Sequence, residues 1–131
     1  MATNLDDITV LRTRFLDTWD RSIPFEFEGQ PLAAEPEGQV WVRLEIAPGD
    51  EQRQSLITQT YLQQGRVNLK VMAPIGQGDG AGWNAAQLFI DAFRDWHSDD
   101  YRVRCYTSQT RKAYEGNYIA TIVSIYYEAI H

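Results

Sequence analysis

The chain has 131 residues, of which 44% are apolar, 12% aromatic and 23% charged. One domain over 1–131 is expected from that length, and disordered or collagen-like classes are excluded by that composition. Its 12 bases and 18 acids leave a net charge of −6, which disfavours tight, independent binding to a phosphate backbone. A single cysteine, Cys105, excludes an internal disulfide, and with only His97 and His131 beside it a zinc site is not expected. No apolar run approaches the ~18–20 residues of a membrane span. Asp6 and Asp7 interrupt the first eleven residues, so no secretory signal and a reduced, intracellular setting are expected.

The first element should be a helix. Leu5, Ile8, Leu11, Phe15, Leu16 and Trp19 recur at spacings of three and four, which makes one apolar stripe. Thr3 or Asn4 can cap it, and Asp6 and Asp7 stand in the first turn, where the helix dipole favours negative charge. Pro24 ends it and a short extended piece, Phe25 to Glu28, follows. Residues 29–38, with Gly29, Pro31, Pro36 and Gly38, are expected to loop. From Gln39 to Ala47, Val40, Val42, Leu44 and Ile46 alternate with Trp41, Arg43 and Glu45, which predicts a strand with one inward and one wet face.

Pro48-Gly49-Asp50 predicts a turn. Gln54 to Leu62 and Arg66 to Ala73 predict an extended hairpin closing on Gln63-Gln64-Gly65, whose first arm lacks a clean inner face. Pro74 to Gly82 is glycine-rich. Trp83, Ala86, Phe89, Ile90, Phe93 and Trp96 then make a second amphipathic helix, ending near His97-Ser98. Strands are expected at Arg102 to Thr107 and at Tyr118 to Ile130, with a turn at Gly116-Asn117 before the last. Consecutive strands joined by hairpins make the sheet mainly antiparallel, packed against two helices, so the fold class is α+β.

Few constellations suggest chemistry. Gly76-Gln77-Gly78-Asp79-Gly80-Ala81 matches the form of the dinucleotide fingerprint, but a hairpin strand precedes it and the lysine and hydroxyl of a P-loop are missing. A surface loop is the expectation. His97 near Asp95, Asp99 and Asp100 could serve as a general base, yet its place suggests a helix-terminal cap. Cys105 falls on an apolar strand face and should be a core residue. No catalytic, cofactor-binding or metal-binding residue is therefore expected.

Surface features point to contacts instead. Residues 53–73 carry three bases and no acid, while 29–52 and 74–101 each carry five acids and one base. Such complementary faces suit self-association. Trp41 and Arg43, on the wet face of their strand, and Arg66 and Lys70, on the hairpin, are the candidate interface residues, since Trp and Arg dominate interface hot spots. Tyr126 and Tyr127 should point to opposite faces of the last strand.

The layout resembles the small tail-terminator (minor tail or tail-completion) proteins of long-tailed bacteriophages. The resemblance rests on several features spread along nearly the whole chain. They are the helix ending at Trp19, the extended Ile23-Pro24-Phe25-Glu26-Phe27, the strand Val40-Trp41-Val42-Arg43-Leu44, and the arm Gly65-Arg66-Val67-Asn68-Leu69-Lys70-Val71. A glycine loop leading into Ala85-Ala86-Gln87-Leu88-Phe89-Ile90 and a tyrosine-rich closing strand, Ile125 to Glu128, complete the pattern. It implies a subunit without cofactor that forms a homo-hexameric ring on the tail tube, stops tube growth and presents a surface to the head–tail connector protein. The implied partners are its own copies, the major tail tube protein and the connector. DNA would pass without specific binding, no membrane is involved, and the protein would be assembled in the host cytoplasm into the virion tail. The alternatives are a small ligand-binding or enzymatic α+β domain, with a pocket between helices and sheet, or another head–tail connector ring component.

Overall fold

A computed structural model of the chain describes residues 2–32, 36, 38–55, 57–76 and 80–131. Among these residues are five strands, β1 (Phe25–Phe27), β2 (Trp41–Arg53), β3 (Tyr61–Pro74), β4 (Val103–Glu115) and β5 (Tyr118–Ile130), and two helices, α1 (Asn4–Thr18) before β1 and α2 (Gly80–Phe93) between β3 and β4. The strands form one sheet in the order β1-β2-β3-β5-β4. Only β1 runs parallel to its neighbour; every other pair is antiparallel. The class is α+β, as the alternating patterns indicate.

Helix α1 starts on a reciprocal cap. The Thr3 hydroxyl accepts from the Asp6 amide at 3.3 Å, and the Asp6 carboxylate accepts from the Thr3 amide at 2.7 Å. The Thr3 amide, and the Thr3 hydroxyl donating to the same carboxylate at 3.1 Å, hold the Asp6 carboxyl below the usual carboxylate range. The apolar stripe goes inward through Leu11, Phe15 and Trp19, but Leu5 remains 70% exposed. Phe15 stacks on Trp19 and meets Phe25 and Phe27 edge-on, which joins α1 to β1. The Arg14 guanidinium donates twice to the Ala92 carbonyl, at 3.0 and 2.9 Å, and ties α1 to the end of α2.

Helix α2 buries Ala85, Ala86, Phe89 and Phe93 against the same sheet face. Its Gly82 lets it approach closely: a Cβ there would stand 3.3 Å from that of Ala73 on β3. The core is one cluster between these helices and the inward rows Val42-Leu44-Ile46, Val67-Leu69-Val71 and Val123-Ile125-Tyr127. At the other end of α2 the helix finishes at Phe93, earlier than expected, and Asp95 takes a left-handed φ of 58°.

The hairpin differs from its sequence reading. Pro48-Gly49-Asp50 is no turn: β2 runs on to Arg53, with a bulge between Pro48 and Glu51. A bulge accommodates a proline, which lacks a ladder donor. The buried Gln63 side-chain amide donates to the Gly49 and Gln64 carbonyls at 2.8 Å each, which satisfies acceptors that the bulge disturbs. Gln63-Gln64-Gly65 is likewise no turn but mid-strand in β3, so the two arms are Trp41–Arg53 and Tyr61–Pro74.

Gly65 is required there by a neighbour. A Cβ at Gly65 would lie 2.6 Å from two ring carbons of Tyr127, its cross-strand partner on β5. The strand glycine makes room for a phenol ring lying over it. Gly65→Ala should therefore destabilise the protein by about 1–3 kcal/mol through overpacking, read from the denaturant midpoint. Adding Tyr127→Leu should recover part of the loss; equal stability of Gly65→Ala and the parent would refute this contact.

Strand β4 is longer than expected, reaching Glu115 through a bulge between Cys105 and Ser108. It joins β5 by the two-residue turn Gly116-Asn117, with Gly116 at φ 56°, the position where such a hairpin turn favours glycine.

Candidate functional site on the uncovered sheet face

Strand alternation gives the sheet a second face, opposite the helices. Its rows follow from the register: Ala47-Arg66-Tyr126, then Glu45-Asn68-Ser124-Gln109, then Arg43-Lys70-Ile122-Arg111, then Trp41-Met72-Ala120-Ala113. Among the described residues no helix lies on this face. A groove of about 520 Å³ runs over it, with Arg66, Asn68, Tyr106, Tyr126 and Glu128 among its walls. A smaller cleft of about 240 Å³ adjoins it, between Arg66, Asn68, Gln109, Arg111 and Ser124.

The four candidate interface residues all lie on this face, in different states. Trp41 is not wet. It is 4% exposed and packs with Met72, Ala120, Leu32 and Tyr118 in a second, small apolar cluster. Tyr118 meets it edge-on at 6.5 Å. Leu32 packs over the strand, and alternation alone could not show that cover. Arg43 is committed to Glu26, its partner across β1 and β2, at 2.6 Å. Glu26 is nearly buried and also accepts from the Leu32 amide at 2.6 Å, so this pair holds the Leu32 segment in place. Lys70 binds Glu115 at 2.5 Å. Arg66 makes no ion pair among the described residues; its guanidinium lies 5.2 Å from the Tyr126 ring centroid.

The other singled-out residues separate clearly. Tyr126 stands half-buried on the uncovered face and Tyr127 is buried in the core, as opposite orientations require. Cys105 is a core residue, 2% exposed. His97 does not cap α2; its ring is exposed, stacked 3.9 Å from Tyr101, in a bridge to Arg104. Among the described residues no three of His, Cys, Asp and Glu gather to hold a metal ion. Gln77, Gly78 and Asp79 of the glycine loop lie outside the described residues. The strand before them, β3, is antiparallel to both neighbours, so the loop does not belong to the parallel βαβ unit that a dinucleotide fingerprint needs. The interval between helices and sheet, where a pocket was the alternative, is filled by Phe15, Phe89, Phe93, Leu44 and Leu69.

Two buried acids of the core titrate late. Burial pushes the Cys105 thiol from 9.0 up to about 12 and the Tyr127 phenol from 10.0 up to about 12. Both are neutral when protonated, so their contribution to stability is complete below pH 9 and is lost as pH rises toward 12. Denaturant melts should show stability falling steeply over that interval. Native Cys105 should resist an aromatic disulfide reagent at pH 8, and rapid modification without denaturant would contradict its placement.

Residues that sequence reasoning missed are Glu26, Gln109 and Arg111. Arg111 borders the same cleft as Arg66 only because β5 lies between β3 and β4. The alternation of Gln109 and Arg111 with Thr110 and Lys112 was the available signal, but with no apolar row beside it that run does not look like a strand.

The chain is a two-layer α+β fold with one sheet face under helices and, among the described residues, the other uncovered. The model of the family described as phage tail terminator protein matches residues 8–127, and the chain belongs to that family. Membership makes it a structural protein of the phage tail. Among curated proteins no match was found. Several solved structures are similar; one of them has a TM-score of 0.67 and 16% identity over 93% of this chain and 94% of that one, and at such identity the likeness shows the fold alone.

Proposed function

We propose that this protein forms a homo-hexameric ring on the finished tail tube, ends tube polymerisation and presents the surface to which the head–tail connector binds. The observation that carries the reading is the family match over nearly the whole chain. The uncovered sheet face supports it, because a face with free arginine and amide donors suits a polar contact with other subunits. Arg66 is the freest of the four interface candidates, while Arg43 and Lys70 take part through pairs they already make. The function is structural rather than catalytic. A net charge of −6 per copy would give a ring a field that repels phosphates, so DNA slides through without specific binding. Assembly takes place in the host cytoplasm, and the product is part of the virion tail.

The test is electron microscopy of particles made by phage lacking this gene. Tubes should form yet join heads poorly, with overlong extensions, and a plasmid copy should restore joined particles. Tails of normal length firmly joined to filled heads in the deletion would sink the reading.

A further inference from the structure

The hydrogen bonds around the smaller cleft engage its amide oxygens and leave its amide donors. The Ser124 hydroxyl donates to the Asn68 side-chain oxygen at 2.7 Å, and the Tyr126 hydroxyl donates to the Gln109 side-chain oxygen at 2.9 Å. Both amide oxygens are thereby occupied, and both NH₂ groups are left without a partner among the described residues. Arg66 and Arg111 flank these amides, and neither makes an ion pair there. The Arg66 guanidinium is preset on the Tyr126 ring, which lowers the cost of ordering it. In a chain with six more acids than bases, two unpaired arginines and two amide donors converge on one cleft. Such a set matches an anion that accepts several hydrogen bonds at once.

We infer that this cleft receives an acidic side chain from a second copy of the same chain. This rests on the ring reading and adds the chemistry by which one subunit holds the next. The volume, about 240 Å³, suits one side-chain head better than a duplex. The chain has carboxylates to offer: Asp95 and Asp99, after α2, are exposed and make no ion pair among the described residues. A cleft on one surface and its acid on another make a head-to-tail contact, the kind that closes rings.

Two variants test it, both at exposed positions. Arg66→Glu with Arg111→Glu should keep the parent's circular dichroism and melting behaviour. It should weaken self-association by about 30-fold or more, read by light scattering across a concentration series, as expected when a desolvated interfacial charge pair is broken. Arg111→Lys keeps the charge and adds an amine that a carbodiimide can couple to a carboxylate. With isotopically light and heavy copies mixed, a cross-linked peptide of mixed label joining position 111 to an acidic residue would support the contact. A parent that assembles while the double reversal assembles equally well, with no mixed-label link, overturns the cleft proposal and leaves the ring reading standing. A double reversal that assembles normally but loses affinity for a short DNA duplex assigns the cleft to phosphate and also overturns it. A parent that stays monomeric at every concentration, with or without purified tail tubes, overturns both.

Discussion

Asp7→Ala should cost about 3 kcal/mol of stability in denaturant melts, far more than a first-turn helix acid is worth. Asp7 is fully buried. Its two carboxylate oxygens accept from Arg102 Nη1 at 2.5 Å and from His131 Nε2 at 2.7 Å. Glu51 stands 3.7 Å from the other ring nitrogen of His131. This cluster joins α1 to the start of β4 and to the residue after β5, so three distant parts of the chain share one carboxylate. Removing it leaves His131 and the half-buried Arg102 without their shared carboxylate, and breaking one partner of a buried pair costs about 3–5 kcal/mol. Arg102 can swing partly into water, which places the expected value at the lower end. The double variant Asp7→Ala, Arg102→Ala should lose clearly less than the sum of the two single losses. Additive losses, or a loss below about 1 kcal/mol typical of a dipole contact, would show that the three groups do not act together.

Trp41→Ala should be at least as damaging, at about 3 kcal/mol or more, the usual range for emptying a buried aromatic site. The site it leaves is bounded by Met72, Ala120, Leu32 and Tyr118. Trp41→Phe should lose less than half as much, since the Trp41 Nε1 is buried with no partner among the described residues and its removal forfeits no hydrogen bond. The functional consequence is specific. Poor assembly of Trp41→Ala would arise from a loosened Leu32 segment and a weakened fold, and should be accompanied by a lower melting temperature. A Trp41→Ala protein as stable as its parent but defective in assembly would restore the free anchor that its place in the strand pattern suggests.

Several elements are legible from local pattern. The stripe from Ile8 to Trp19, the Thr3 cap, the alternation from Val40 to Ile46 and the helix through Phe89 and Phe93 all appear where periodicity places them. In each case a buried face repeats at the period of the backbone, so the core leaves a mark on the sequence. The turns of the hairpin are misread for the opposite reason. Pro48-Gly49-Asp50 has turn chemistry, but Gln63 satisfies the bulge from the facing strand and lets β2 continue. Gly65 looks like a turn glycine, yet its reason is the Tyr127 ring, sixty-two positions away. Strand β4 beyond Cys105 has no buried face to alternate with, since it forms the exposed edge of the sheet, and its extent is therefore invisible to periodicity.

The α+β class and the balance of charge thus follow from the order of residues alone, because they depend on composition and on short-range period, while family membership rests on the family match over residues 8–127. The partners of charged and aromatic groups do not. Asp6 and Asp7 are adjacent and chemically identical, but one caps a helix and the other anchors a buried cluster. Trp41 and Arg66 share a sheet face, but one is covered and the other is free. What separates them is which distant strand or segment comes to lie alongside. The sheet order β1-β2-β3-β5-β4 decides this, and it alone brings Arg111 to the same cleft as Arg66.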